Sequence, residues 1–374
     1  SHLGETLYVG LSAMTGNQIL YGLKLAKFIR DNKADVPLVW GGIHPTLYPE
    51  QTIKNALVDI VARNEGEQTV VDLADCLSEG GDLEKVNGIC FADERGEPVM
   101  TPARDLQPMK DTPIPSWHRI PVDRYFGVGI QTARGCPWRC RFCYNIEFNQ
   151  RKWRTVREGR VLEEMALLRK RYGIDKVWLV DDNYFTNRHR VARLSQAMID
   201  HNIDMQWATT ARAPDIVANT DKFSDLLRRS GLMFLFVGAE SGSPKTLERI
   251  AKDQTVEDIL EMAHQSKRHG IPIHTAFVVG FPGEDESDWR MTYDLMDNLR
   301  AIDEDICIED IFIFTPYPGN DLYQESLRLG FKPPENFEEW GNFTLYDCNL
   351  PWLNNAQRRM LENLSLLTRF VFWN

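Results

Sequence analysis

The sequence predicts an α/β protein in two parts, each assembled from strand–loop–helix units. Three observations carry this. Short apolar strands alternate with helical patterns over residues 6–77 and again over residues 128–315, and such alternation gives parallel sheets flanked by helices. Between the two runs, residues 102–121 hold Pro102, Pro108, Pro113, Pro115 and Pro121 and read as an extended linker. The length of 374 residues is enough for two domains with full cores, or for one large barrel with additions.

Composition narrows the partner classes. With 43 basic against 54 acidic residues the net charge is −11, which disfavours a broad nucleic-acid footprint and leaves only a local basic patch open. The longest apolar run, near residues 232–239, falls well short of the roughly 20 residues needed to span a bilayer. The first residues show neither the basic start nor the apolar core of a signal peptide, so a cytoplasmic location is expected. Seven cysteines, an odd count, fit a reducing compartment better than a disulfide framework.

In the first part, residues 6–13 read as a buried strand, followed by Thr15 and Gly16 and a helical pattern over residues 18–30 with Leu20, Leu23, Leu25, Phe28 and Ile29. A second strand at residues 37–40 runs into Gly41, Gly42, Ile43, His44, Pro45 and Thr46. A third at residues 59–62 ends in Arg63, Asn64, Glu65, Gly66 and Glu67, with a helix over residues 69–77. Repeated units of this kind imply a parallel, doubly wound sheet with a ligand crevice at the carboxyl ends of its strands. Gly41 and Gly42 either let a ligand approach the backbone closely or simply make a turn. His44 reads first as a loop histidine bonded to backbone, and second as a metal ligand. Residues 87–101 look like a β-hairpin turning at residues 93–96.

In the second part, strands fall near residues 129–131, 176–180, 205–210, 233–237, 273–279 and 311–315. Active sites in such folds gather where strands end in loops. After the first strand come Cys136, Cys140 and Cys143, spaced by four and three. Thiolates are soft anionic ligands, and this spacing lets one loop hold three corners of an iron–sulfur cubane. The fourth iron would be open to a substrate or cofactor. A structural zinc site wants a fourth ligand, and no second Cys or His pair with that spacing follows. A chance cluster of buried small residues does not explain the flanking Gly135 and Pro137. Asp181, Asp182 and Asn183 end the second strand as a ligand site, a cap or a turn. Arg212 ends the third, suited to a bidentate carboxylate or to a surface salt bridge. Glu240 and Ser241 end the fourth, with Glu240 offering acceptors to hydroxyls or capping the helix that begins near Pro244. The turns at residues 280–284 and 315–319 shape loops. Cys76, Cys90, Cys307 and Cys348 show no ligand spacing and read as free thiols. Residues 331–374 hold Trp340, Trp352, Phe370, Phe372 and Trp373 with a helix-like run over residues 356–370. As a weak membrane-surface helix it is diluted by Glu362 and has only Arg358, Arg359 and Arg369.

The pattern CxxxCxxC with Phe142 just before its last cysteine resembles the signature of the radical S-adenosylmethionine (radical SAM) enzymes. The resemblance implies that Cys136, Cys140 and Cys143 ligate a [4Fe–4S] cluster and that S-adenosylmethionine chelates the open iron. The reduced cluster then cleaves it to a 5′-deoxyadenosyl radical that abstracts hydrogen from substrate. It further implies Phe142 near the adenine, Asp181 and Asp182 at the amino group, Arg212 at the carboxylate, and Glu240 and Ser241 at the ribose. The six strands become a partial (β/α)6 TIM-like barrel with a substrate-covering C-terminal region. The first part resembles the Rossmann-like cobalamin-binding domain that precedes the barrel in one branch of that family. This implies that Ser12, Thr15, Gly41, Gly42, His44, Pro45, Thr46, Glu65, Gly66 and Glu67 line cobalamin. Asn64 stands where the pattern usually has Gly, a mild departure because Asn tolerates positive φ. Such domains usually carry further strand–helix units first, so this one is expected to be incomplete at its N-terminus.

The expected division is a cobalamin-binding domain over residues 1–86, hairpin and linker over 87–127, barrel over 128–330 and C-terminal region over 331–374. The resemblance implies methylation of an unactivated carbon in a small-molecule or natural-product substrate, with an electron donor such as flavodoxin or ferredoxin. A cyclisation or rearrangement without net methyl transfer is the alternative within the class. A non-enzymatic iron–sulfur or zinc-binding module is the alternative outside it.

Overall fold

The structure, a computed structural model, describes residues 6–32, 35–125, 127–344 and 349–371. The expectations on Cys348, Phe372 and Trp373, and on the side chains of Arg369 and Phe370, lie outside the described residues. The chain divides into two compact units, residues 1–107 with 315–351, and residues 108–314 with 352–374.

The first unit holds a five-stranded sheet in simple sequential order. Strands β1 (Val9–Ser12), β2 (Leu38–Gly41) and β3 (Ile60–Ala62) are parallel. Helices Asn17–Asn32 and Glu67–Glu79 follow the first and third. The latter stops at Gly80, whose left-handed φ of 62° closes the helix end. The hairpin β4 (Ile89–Ala92) and β5 (Pro98–Met100) pairs antiparallel with β3. The expected all-parallel sheet is therefore mixed, because β4 carries two buried residues, Ile89 and Cys90, that complete the core rather than sit in a linker. Val39, Ile60, Ala62, Leu73, Val86 and Ile89 form that core. The boundaries expected after residues 86 and 330 do not coincide with this division. Residues 315–351 belong to the first unit because Phe337 and Trp340, both buried, pack there: Phe337 sits edge-on to Trp40 at 5.1 Å, and Trp340 lies 5.2 Å from the His44 ring.

The second unit holds six strands: β6 (Val128–Ile130), β9 (Lys176–Leu179), β10 (Gln206–Ala211), β11 (Leu232–Glu240), β12 (Ile273–Val279) and β13 (Cys307–Ile313). All neighbours in this sheet are parallel, in chain order, and β6 does not pair with β13, so it is a partial (β/α)6 barrel. The last strand starts four residues earlier than the sequence suggested. Its apolar stretch begins with Cys307 and Ile308, and two acids, Glu309 and Asp310, interrupt the pattern that marks a strand. A two-stranded ribbon, β7 (Ala133–Arg134) with β8 (Arg154–Thr155), went unread because each strand is only two residues long. Capping explains where the outer helices start. Thr255 with Asp258 and Asp285 with Asp288 form reciprocal capping boxes on helices Val256–His269 and Glu286–Ile302, each cap contributing about 1 kcal/mol. Helix Asn355–Val371 closes the unit, with Leu361 fully buried. Among the described residues no helix is long and apolar enough to cross a membrane.

Candidate active site

The cysteine loop follows β7, and buried carboxylates fix its path. Asp181, 3% exposed, accepts hydrogen bonds from Thr132 N at 2.6 Å, Thr132 Oγ1 at 2.5 Å and Ala133 N at 2.9 Å. Asp182 accepts one from Gly135 N at 2.7 Å. Gly135 itself has φ of 84°, and a Cβ there would lie 2.1 Å from the Lys152 carbonyl oxygen, so only glycine lets the loop turn into Cys136. Farther on, Arg141 N donates to the Ile250 carbonyl at 2.9 Å and ties the loop to the end of helix Pro244–Arg249.

Cys136, Cys140 and Cys143 line one cavity of about 240 Å³ with Trp138, Phe142, Asp182, Arg212, Glu240 and Lys252. Burial pushes the thiols up, Cys136 to about 11 and Cys143 to about 12, with Cys140 moved the same way. Unloaded, the loop thus holds thiols, and an incoming metal must displace their protons. Among the described residues, the trio of potential ligand atoms lying within 4.8 Å of one another is His274, Cys307 and Glu309. The cavity lining offers, among the described residues, three thiols and no fourth Cys or His, a set that suits a cluster with one open corner better than a four-ligand zinc site.

The polar wall is built by strand ends. On β11, residues alternate, so Leu235, Val237 and Ala239 are buried while Phe236, Gly238 and Glu240 line the cavity. Glu240 sits at φ of 63°, unusual for a residue other than glycine. Its carboxylate meets Lys252 Nζ at 2.5 Å in a pair whose side chains are about nine-tenths buried. Gly238 makes room for this pair, since a Cβ would lie 2.2 Å from Glu240 Oε1 and 2.9 Å from Lys252 Nζ. Arg212, 6% exposed, stacks its guanidinium 3.8 Å from the Trp138 ring and donates to the carbonyls of Lys252 and Asp253. Four buried polar atoms here have no partner: Arg212 Nε, Trp138 Nε1, Asn145 Oδ1 and Asn183 Nδ2. Orphaned donors and an acceptor beside a nearly buried ion pair suit a ligand that is itself polar and charged.

Several expectations change. Asp181 does not line the cavity; its oxygens are taken by Thr132 and Ala133, and burial pushes its carboxyl up to about 6. Of the aspartate pair only Asp182 faces the cavity, while Asn183 caps the next turn through Phe185 N at 3.0 Å. Ser241 is also turned away, fully buried and bonded to Thr292 Oγ1 at 3.3 Å and to Ser243 N at 3.1 Å. Glu240 is no cap: Ser243 caps helix Pro244–Arg249. Among the described residues Arg212 makes no surface salt bridge; its guanidinium is buried. Phe142 does line the cavity, 5.9 Å from the Phe281 ring. Sequence reasoning missed Lys252, which has no fixed spacing to the motifs, and Trp138, which sits inside the cysteine motif but whose stacking on Arg212 only the fold shows. The local mark of Lys252 is that Ala251 and Asp253 on either side adopt positive φ, which their residue types do not announce. The turn at residues 280–284 is held by Glu284, whose Oε2 accepts from Gly280 N at 2.7 Å and from Phe281 N and Trp289 Nε1, both at 3.0 Å.

The strand ends of the first unit behave differently. His44 is fully buried; Nδ1 bonds Thr15 Oγ1 at 2.9 Å, not backbone, and Nε2 has no partner. Tyr48, Phe337 and Trp340 enclose the ring at 5.2–5.7 Å, and burial pushes its pKa down to about 3. Pro45 is buried beside it, and Glu65, 6% exposed, accepts from Gln107 N at 2.6 Å. Thr46 Oγ1 donates to the Gly42 carbonyl at 2.7 Å and accepts from Asn64 N at 2.8 Å. Gly42, at φ of 93°, is required by its own chain: a Cβ would sit 2.8 Å from Ala13 N and O and from Ser12 Oγ. Asn64 does take positive φ, 61°, whereas Gly66 does not, at −88°. Ser12 and Glu67 are exposed, and a Cβ on Gly41 would meet nothing closer than 3.4 Å. Of these strand-end residues Ser12 and Glu67 are the exposed ones, while His44 is enclosed and keeps Nε2 without a partner.

Comparison with known proteins agrees with this geometry. Residues 130–296 match the radical SAM superfamily and residues 6–74 match the B12 binding domain. An uncharacterized methyltransferase of Pyrococcus horikoshii is 31% identical over 348 residues, covering 91% of this chain and 72% of the relative. An anaerobic magnesium-protoporphyrin IX monomethyl ester cyclase of Rubrivivax gelatinosus is 28% identical, covering 85% of this chain and 58% of that protein, so the chain spans little more than half the length of this relative. Among solved structures, the radical S-adenosylmethionine methyltransferase TsrM from Kitasatospora setae superposes with a TM-score of 0.72 at 18% identity, over 88% of this chain and 68% of that one, a likeness of fold. The chain therefore belongs to the cobalamin-binding branch of the radical SAM enzymes, whose cofactors are a [4Fe–4S] cluster, S-adenosylmethionine and cobalamin.

Proposed function

We propose that this enzyme methylates an unactivated carbon of a small-molecule substrate, drawing electrons from a small carrier such as a flavodoxin or ferredoxin. The observation that supports this most is the pairing on one chain of a B12-binding match with a radical SAM match, shared over 91% of its length with a methyltransferase. Cys136, Cys140 and Cys143 would hold the cluster through thiolates. When bound, the cluster and S-adenosylmethionine supply one-electron cleavage to a carbon radical, and cobalamin supplies a methyl group.

The chain's own residues bind and orient. Lys252 neutralises one oxygen of Glu240 and leaves the other to accept from ribose hydroxyls. Arg212, locked over Trp138, keeps its orphaned Nε for a carboxylate, and such charge-assisted bonds are roughly twice as strong as neutral ones. Asp182 offers an acceptor to an ammonium group, and the rings of Phe142 and Phe281 cover an adenine. Ser12, Gly41, Thr46, Gly66 and Glu67 would carry cobalamin.

The test is product stoichiometry with anaerobically reconstituted enzyme and its substrate. Equal yields of S-adenosylhomocysteine and 5′-deoxyadenosine, with a labelled methyl group recovered in product, support methyl transfer. 5′-Deoxyadenosine without S-adenosylhomocysteine overturns it in favour of cyclisation or rearrangement, the reading that the 28% identical cyclase supports.

A further inference from the structure

We propose that His274, Cys307 and Glu309 form a second metal site, a mononuclear one for a zinc-like divalent cation, at the start of β12 and β13. In the parallel pairing of these strands His274 lies opposite Cys307. Cys307 and Glu309 are two residues apart on one strand, so their side chains emerge on the same face. One imidazole nitrogen, one sulfur and one carboxylate oxygen consequently lie within 4.8 Å of one another. The Phe234 ring stacks on His274 with centroids 4.0 Å apart and fixes the imidazole plane. The side chains of His274 and Glu309 are 28% and 33% exposed, enough for an ion to enter and for water to complete a fourth position.

Donor chemistry selects the ion. A thiolate with an imidazole and a carboxylate suits zinc and disfavours magnesium or calcium, which take oxygen ligands. His274 Nδ1 and Glu309 Oε1 are hydrogen-bonded at 2.5 Å, whereas donors around tetrahedral zinc stand roughly 3.3–3.8 Å apart, as its bond lengths require. Ion entry therefore separates this pair slightly, draws the sulfur in and releases the thiol proton, while the neutral imidazole keeps its one N–H on the ring nitrogen that does not face the ion. Neutral imidazole, thiolate and carboxylate then balance a dication, leaving no net charge in a half-buried site. The site is separate from the cysteine loop. Phe236, the β11 partner of His274, lines the catalytic cavity, but none of the three ligands does.

The experiment uses the full chain with Cys136→Ser, Cys140→Ser and Cys143→Ser, which removes the loop thiols and makes the outcome independent of the radical SAM chemistry. Zinc is titrated against a chromophoric chelator, and cadmium is added to read thiolate-to-metal absorption. One tightly held zinc ion per chain and a cadmium–thiolate band are expected. Adding Cys307→Ser should erase the band, and adding His274→Ala or Glu309→Gln should weaken zinc by more than about tenfold, the loss that even an outer-sphere partner can bring. Glu309→Gln keeps the shape of the side chain, and an unchanged melting curve shows that the barrel is intact. No zinc binding by the parent, or equal binding by the folded Glu309→Gln and Cys307→Ser chains, overturns the site and leaves a hydrogen-bonded pair only.

Discussion

The strand ends of the two units carry motifs of similar density but use them in opposite ways. In the barrel, Cys136, Cys140 and Cys143 from one loop and Asp182, Arg212 and Glu240 from three strand ends turn toward one cavity. In the first unit, His44, Thr15, Thr46 and Glu65 turn toward each other or toward their own backbone, and Gly42 is fixed by contact with residues 12 and 13. A motif residue can thus belong to a ligand or to the loop that awaits it. Thr46 and Glu65 bond to backbone inside the fold, whereas Arg212 keeps Nε unpaired at the cavity.

The largest test of this contrast is at the cysteines. Replacing any one of Cys136, Cys140 or Cys143 with Ala should remove the cluster and abolish 5′-deoxyadenosine formation while far-UV circular dichroism stays that of the parent. Full iron content with full cleavage in any of these variants would sink the assignment.

Next comes Gly42→Leu, which should destabilise the first unit by about 2–4 kcal/mol, through a strained positive φ and a collision with the Ala13 backbone. Faster proteolysis between residues 6 and 74, with cobalamin lost and the cluster spectrum unchanged, is the expected pattern. Normal protease resistance with cobalamin lost would mean that the glycine serves the ligand after all.

A smaller effect is expected from Gly238→Ala. The new methyl group displaces the ends of Glu240 and Lys252, which are flexible, so folding survives and S-adenosylmethionine binding weakens by about tenfold, the worth of one good hydrogen bond at about 1.4 kcal/mol. Unaltered affinity by calorimetry would separate the ion pair from the cofactor.

The smallest is a pH effect at His44. Its pKa is about 3 when folded and about 6.5 when unfolded, so between those values only the unfolded chain takes up the proton. Stability then rises with pH across this window and is lost progressively below about 6.5, by at most about 1.4 kcal/mol per pH unit. His44→Leu should lose less melting temperature between pH 7 and pH 5 than the parent does. An equal loss would mean that the histidine is not enclosed.

The sequence by itself determined the two-part α/β plan, all six barrel strands, the cysteine loop and the strand ends bearing Asp182, Arg212 and Glu240. These are local properties: apolar periodicity, turn residues and ligand spacing are written along the chain. It also anticipated that Asn64 would take positive φ, because Asn bears that strain better than most residues. Tertiary structure alone decided which aspartate faces the cavity, that Ser241 turns away, that Lys252 completes the Glu240 pair, and that the hairpin and residues 315–351 join the first unit. Those outcomes rest on contacts between residues far apart in the chain. Lys252 reaches Glu240 across 12 positions and Asp181 reaches Thr132 across 49, while Trp340 reaches His44 across nearly the whole first unit's sequence span. No spacing rule encodes such pairs, because their partners are fixed by packing and by the need to satisfy every buried polar group at once.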